Sequence, residues 1–365
     1  MKAILILEDG TIIKGRGFGV EKKVGGELVF TTGMTGYIES LTDPSYSGQI
    51  LMFTYPLIGN YGGNIEDYES EGVKVEGVVV REVCWYPSNW RSQKSINLFL
   101  EEFNIPGISE VDTRALTKKI RTKGTMKCIL QTFRKEEEIN LETLKKEVKE
   151  QKNISELDLV RRVSTHEIKR IDSQGNSKLV LIDCGVKKSI INNLLNKKIN
   201  LIIVPFDTPA EKILDFNPEA VLISNGPGDP AVVRETIENV KKLIGKIPLY
   251  GICLGHQIIA LALGAKTFKL KFGHRGLNQP VKDLESGRVF ISTQNHGFAV
   301  LNKNLEKIGL RVTQINLNDK TIEGLKHREL PIETVQYHPE AGPGPHDTYF
   351  FFDSLLERIK NAKKN

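Results

Sequence analysis

The sequence predicts an α/β protein: an N-terminal mixed β/α domain followed by an open, mostly parallel α/β sheet domain. Three observations carry this. In the second half, short apolar β-branched runs (KLVLIDC, INLIIVPFD, AVLISN, IPLYGI, VFIST and IETVQY) alternate with helical patterns, the rhythm of strands buried on both faces of a parallel sheet. In the first half, strands and helices mix without that alternation, between stretches rich in turn residues. The length of 365 residues exceeds what one hydrophobic core usually supports, so two domains are expected.

The elements follow in order. Ala3 to Leu7 and Thr11 to Ile13 flank Asp9-Gly10, a strong hairpin signal. Thr32 to Gly63, rich in Gly, Thr, Ser, Pro and Tyr, reads as long ordered loops. In SQKSINLFLEEF, residues Ile96, Phe99, Leu100 and Phe103 recur at helical spacing; in VDTRALTKKIRTKG, Asp112 is placed as N-cap with Gly124 past the end. From Phe133 to about Gly175 the chain turns polar and charged: KEEEINLETLKKEVKEQKN reads as a surface helix and DSQGNS as a linker. The expected division is a first domain over 1–150, a charged linker region over 151–177 and a second domain over 178–365. In the latter, Ile190, Ile191, Leu194 and Leu195 mark one helical face between the first two strands. Ligands of such sheets bind beyond the carboxyl ends of the strands.

Composition excludes several classes. A hydrophobic share of 39% with 26% charged residues is ordinary for a soluble globular chain. The net charge of +6 comes from scattered lysines, including the tail Arg358, Lys360, Lys363 and Lys364, and no basic stripe with aromatics marks a nucleic-acid partner. Glu8 and Asp9 interrupt the opening apolar run too early for a signal sequence, and no run approaches the roughly 20 apolar residues of a membrane span. Cys84, Cys128, Cys184 and Cys253 lie far apart, without metal-ligand spacing, so no metal site and a reducing cytoplasm are expected. No G-x-x-x-x-G-K-[ST] phosphate loop is present, so ATP-dependent chemistry is expected on another chain.

Four strand ends hold the chemistry. Gly251-x-Cys253-x-Gly255 has the form of a nucleophile elbow with cysteine in place of serine, where any side chain at the glycines would collide with the tight turn. The helical run LGHQIIALALG follows, so Cys253 would sit at a helix N-terminus that favours a thiolate; a buried structural cysteine is the competing reading. His338-Pro339-Glu340 ends another strand, and two-residue spacing lets Glu340 orient His338 as a base for a thiol. Ser224 to Pro230, SNGPGDP, forms a rigid loop able to aim main-chain N–H groups at an oxyanion, or a plain turn; its fit to a dinucleotide fingerprint is undercut by Pro227 and Pro230, which lack N–H donors. Gln294-Asn295-His296-Gly297-Phe298, after a strand expected to end at Thr293, reads equally as a substrate loop or a hairpin turn.

Together these strand ends, with their Cys…His-x-Glu order, resemble the triad-type (class I) glutamine amidotransferases, over essentially all of Lys178 to about Ile359, and NGPGDP, GICLGHQ, KFGHRGLN, QNHGFAV and HPEAGPGPHD resemble more narrowly one branch of them. TGYIESLTDPSYSGQI and EVDTRALT extend the resemblance to the small subunits of carbamoyl-phosphate synthase. The resemblance implies that Cys253 is the nucleophile, His338 the acid and base, and Glu340 its partner. It implies that L-glutamine is held by Ser45, Gly226, Gly228, Leu254, Gln257, Asn295, Gly297 and Phe298, with Leu254 and the Gly226 to Gly228 loop at the oxyanion. It also implies a heterodimer with a large subunit that carries ATP and magnesium and makes carbamoyl phosphate for pyrimidine or arginine biosynthesis. A glutaminase partner of another synthase (anthranilate or GMP type) and a non-catalytic regulatory subunit are the alternatives.

Overall fold

The computed structural model describes residues 1–135 and 139–362, and its contacts divide the chain into two compact units between Leu157 and Asp158. Residues 136–138 of the expected charged helix and Lys363 and Lys364 of the tail lie outside the described residues.

In the first unit the strands are β1 (Lys2–Leu7), β2 (Ile12–Gly19), β3 (Lys23–Thr31), β4 (Gln49–Phe53), β5 (Leu57–Ile58), β6 (Gly77–Val79), β7 (Glu82–Val83), β8 (Pro106–Ser109) and β9 (Met126–Phe133). Seven of them close a barrel in the order β1-β2-β8-β6-β4-β3-β9, while β5 and β7 pair with each other. The β1–β2 hairpin turns at Gly10, whose φ of 85° suits a residue without Cβ. The stretch read as loop from Thr32 to Gly63 contains helix α1 (Tyr37–Thr42), a 3-10 turn over Pro44–Tyr46, and β4. The run QILMF of β4 is buried throughout, so the unbroken apolar stretch Ile50 to Phe53 lacks the alternation that marks a half-exposed strand.

Helix caps fall where side-chain chemistry puts them. Ser95 caps α2 (Ile96–Glu102) by accepting from the Leu98 N–H at 3.3 Å. Asp112 caps α3 (Thr113–Lys123) by accepting from the Ala115 N–H at 2.9 Å, and Gly124 ends that helix at φ 101°. Helix α4 (Leu141–Glu150) shows solvent its charges but buries Leu144 and Val148 against Ile4, Ile6, Ile129 and Phe133.

The second unit starts ahead of the expected domain. Within the segment read as linker lie a 3-10 turn at Ile154–Glu156, helix α5 (Val160–Val163) and strand β10 (Lys169–Ile171). Strand β10 pairs antiparallel along β12 (Ile199–Pro205), with Arg170 opposite Ile202. Its lysine and arginine disguised it: a sheet edge carries charge because charge discourages further pairing.

The other strands are β11 (Ser177–Asp183), β13 (Ala220–Ile223), β14 (Leu249–Ile252), β15 (Thr267–Asp283), β16 (Val289–Val300), β17 (Leu310–Asn316), β18 (Ile322–His327) and β19 (Ile332–Val335). Among the described residues they form one sheet in the order β10-β12-β11-β13-β14-β19-β18-β17-β15-β16. The centre, β12 to β19, is parallel as expected; from β18 onward the sheet continues antiparallel. Alternate residues of the central strands serve opposite faces. Val180, Ile182, Val221 and Ile223 pack with α8 (Arg234–Leu243) and α9 (Leu254–Ala262), together with α7 (Ala210–Asp215). Leu179, Leu181 and Leu222 pack with α6 (Lys188–Asn196) and α10 (Phe350–Ala362). Each such side chain contributes about 1.5–3 kcal/mol on burial, which explains why these strands read as continuous apolar runs.

Candidate active site

The chain leaves β14 through a strained elbow. Cys253 has φ 53° and ψ −102°, a conformation that costs a non-glycine residue about 1–3 kcal/mol. The two glycines make the turn possible. A Cβ on Gly251 would lie 2.6 Å from the Gly255 carbonyl, and a Cβ on Gly255 would lie 2.1 Å from the Ile223 oxygen. Hydrogen bonds hold the elbow from both neighbouring strands: Cys253 N–H donates to the Val335 carbonyl at 2.9 Å and Gly255 N–H to Ser224 at 3.0 Å. The Cys253 Sγ is buried, 3.7 Å from the Asn295 carbonyl oxygen. Leu254 opens α9, so the helix itself leaves its N–H unused.

His338 lies just past β19, the strand beside β14, and donates its backbone N–H to the Thr293 carbonyl at 2.9 Å. Its Nδ1 is 2.6 Å from Glu340 Oε1. Its Nε2, buried and with no other partner among the described residues, is left to interact with the Cys253 thiol. Behind them stands a residue that sequence reasoning missed. The Lys187 Nζ donates to Glu340 Oε1 at 2.9 Å and to the Ala341 carbonyl at 2.8 Å, and its side chain is only 2% exposed. A lysine is normally solvated, so nothing in its type suggested this; its place just beyond the carboxyl end of β11 is the signal that could have.

The electrostatics favour an ion pair. Burial disfavours an imidazolium at His338, but Glu340 and Cys253 outweigh it and hold the ring's pKa well above the usual histidine range. Burial likewise disfavours a Glu340 carboxylate, but Lys187 and His338 outweigh it and hold that carboxyl below its usual range.

The SNGPGDP loop follows β13. Ser224 Oγ accepts from the Cys184 N–H at 2.9 Å and donates to the Asn225 carbonyl at 2.8 Å, while Asn225 Oδ1 accepts from the Lys187 N–H at 3.2 Å. A Cβ at Gly226 would meet the Cys184 oxygen at 2.2 Å and the Leu254 side chain at 2.8 Å, which brings this loop against the start of α9. Gly228 has φ 85°.

The segment QNHGF is neither a loop nor a hairpin turn. It lies inside β16, where His296 pairs with His274 and Asn295 with Arg275 across β15. Its polar residues are tolerated in a buried strand because their side chains bond one another. His296 Nδ1 donates to the Phe298 carbonyl at 2.7 Å, and the same carbonyl accepts from Gln257 Nε2 at 2.7 Å. The other Gln257 N–H goes to Gln336 Oε1 at 2.9 Å, so both donors of this expected glutamine ligand are spent on protein. Ser45 lies in the first unit, buried in the 3-10 turn, with its N–H on Asp43 Oδ1 at 2.8 Å.

His274, His296 and Glu323 cluster within metal-ligand distance of one another. Hydrogen bonds occupy both nitrogens of His274, which meets Gln294 at 2.9 Å and Asp319 at 2.8 Å, and the single N–H of His296, which goes to the Phe298 carbonyl.

A cysteine on a strained strand-to-helix elbow, a histidine just past the adjacent parallel strand and an acid bonded to that histidine form a Cys-His-acid arrangement of the kind nucleophilic catalysis uses. Consistent with this, residues 180–358 match the family model of class-I glutamine amidotransferases, and residues 5–130 match that of the carbamoyl-phosphate synthase small chain, CPSase domain. The chain is 60% identical over 363 residues to a carbamoyl phosphate synthase small chain of Archaeoglobus fulgidus, covering 100% of both chains. It is 54% identical to that of Methanocaldococcus jannaschii, again over 100% of both. To that of Bacillus cereus it is 51% identical, over 100% of this chain and 98% of the relative. The chain belongs to the carbamoyl-phosphate synthase small-chain family. Among the described residues, no helix is long and apolar enough to cross a membrane.

Proposed function

We propose that this chain hydrolyses L-glutamine through a Cys253 thioester and passes the ammonia to a large synthase subunit. The observation that carries the reading is the buried Cys253–His338–Glu340–Lys187 line, in which Lys187 holds Glu340 and Glu340 holds the His338 ring beside the Cys253 sulfur. The Cys253 thiolate attacks the side-chain carboxamide carbon, forming the S–C bond while the carbonyl oxygen becomes an oxyanion. The N–H groups of Leu254 and of the Gly226 to Gly228 loop stabilise it. His338, held protonated, delivers its proton to the departing nitrogen; the C–N bond breaks and ammonia leaves. The neutral ring then takes a proton from water, the hydroxide adds to the thioester, and collapse expels the Cys253 thiolate and glutamate. The imidazolium and thiolate are thereby restored.

Glutamine would be held by Ser45, Gly226, Gly228, Leu254, Asn295, Gly297 and Phe298, with Gln257 bracing the Phe298 carbonyl. The large subunit would supply ATP, magnesium and bicarbonate and form carbamoyl phosphate, in the cytoplasm. Full-length similarity to small chains of that synthase favours this partner over an anthranilate or GMP synthase. The test is Cys253→Ser in the two-subunit complex. Glutamine-dependent synthesis should be lost while ammonia-dependent synthesis continues; retained glutamine use would refute the assignment.

A further inference from the structure

A line of polar side chains runs along one side of β19 and its extension. Thr334 of β19, and Gln336 and His338 just past its end, alternate in sequence with the apolar Val335 and Tyr337, and their contacts place all three on the same side. Each meets a residue of the elbow and its helix. Thr334 Oγ1 is 2.8 Å from His256 Nδ1, Gln336 Oε1 accepts from Gln257 Nε2 at 2.9 Å, and His338 interacts with Cys253. The middle rung also reaches the third element of the site, because the same Gln257 nitrogen donates to the Phe298 carbonyl of β16.

Packing alone does not call for an amide at 336. Gln336 is wholly buried, and its Nε2 finds no partner among the described residues, a desolvation cost that an apolar side chain of equal length would avoid. Its main chain is already tied to β18 by donation to the Glu323 carbonyl at 2.8 Å. What the side chain adds is an acceptor that fixes the Gln257 amide, one turn into the helix that begins after Cys253.

We propose that Gln336 is a positioning residue for glutamine hydrolysis: through Gln257 it sets the register of Cys253 and the Phe298 carbonyl against His338. The assignment rests on the thioester reading above. Displacing reacting groups by about 1 Å can cost on the order of a hundredfold in rate. Removal of the acceptor therefore acts on turnover and on the reactivity of Cys253 rather than on folding alone.

The test compares Gln336→Met, which keeps length but loses the acceptor, with Gln336→Glu, which keeps an acceptor oxygen, in the full chain bound to its large subunit. The readouts are kcat and KM for glutamine, thermal melting, and the rate of iodoacetamide alkylation at Cys253 across pH. The methionine variant should melt as a folded protein, lose about ten- to a hundredfold in kcat, and be alkylated more slowly at Cys253. The glutamate variant should recover most of kcat. A folded Gln336→Met with unchanged kcat and alkylation profile would overturn the proposal, as would equal losses in both variants. If Gln336→Met does not fold, Gln336→Asn, shorter by one methylene, carries the same expectation and the same refutation. An unreactive Cys253 in the wild-type complex would overturn the thioester reading, and this assignment with it.

Discussion

The Lys187 ammonium lies 2.9 Å from Glu340 Oε1, with both side chains almost wholly withdrawn from solvent. A charge pair so placed is costly to break, because either partner left alone is a buried uncompensated charge. The pair also reaches the chemistry, since the same Glu340 oxygen meets His338 Nδ1 at 2.6 Å.

Lys187→Met is therefore expected to lower stability by about 3–5 kcal/mol, read by denaturant unfolding. Without Lys187 the Glu340 carboxyl titrates at higher pH, since that lysine heads the influences holding it down against burial. The acid limb of glutamine turnover should move to higher pH in the variant. An unchanged acid limb would show that Lys187 is structural only.

How much of this was legible beforehand differs residue by residue. The elbow was, because Gly251 and Gly255 are demanded by backbone approaches of 2.6 Å and 2.1 Å that leave no other choice of residue. The His338–Glu340 pair was suggested by its two-residue spacing, but what brings the side chains together is a turn, with the Ala341 N–H on the His338 carbonyl at 3.2 Å, and not the extended chain that the spacing assumes. The segment Gln294 to Phe298 was misread as lying outside a strand: its polar composition signals a turn, and only its pairing with β15 and its mutual hydrogen bonds make it strand interior. Lys187 and the edge strand β10 were hidden for a shared reason. Charged residues usually mark solvent, and both depend on partners more than thirty residues distant in sequence, Glu340 and Ile202 respectively.

The second prediction concerns His274. Burial opposes its charged form, but hydrogen bonds and charge from Asp319 and Glu323 outweigh burial and raise its pKa to about 9. The neighbouring His296 is held neutral by burial, with the His274 charge adding to that effect. A histidine raised in the folded state adds stability that is fully present below its ordinary value of about 6.5 and is lost as pH rises through about 9. Melting temperature should therefore fall across that alkaline window, by the equivalent of roughly 1–3 kcal/mol. His274→Gln should flatten this slope; equal slopes in both proteins would contradict the assignment.

The third concerns Gly255. Its Cβ position meets the Ile223 carbonyl of β13, and main chain in a central strand cannot move aside cheaply. Gly255→Ala is expected to cost about 1–3 kcal/mol or more from overpacking, with glutamine turnover falling further as the elbow shifts. Thermal melting and glutaminase assays on one preparation test this; a variant with unaltered melting would show that the elbow relaxes freely.

The most direct measurement is acid quenching of the two-subunit complex during glutamine turnover, followed by peptide mass spectrometry. A γ-glutamyl group on Cys253, released by hydroxylamine and absent from Cys253→Ser, is the predicted result. Steady turnover with Cys253 unmodified, or with the glutamyl group on another residue, would contradict the central claim.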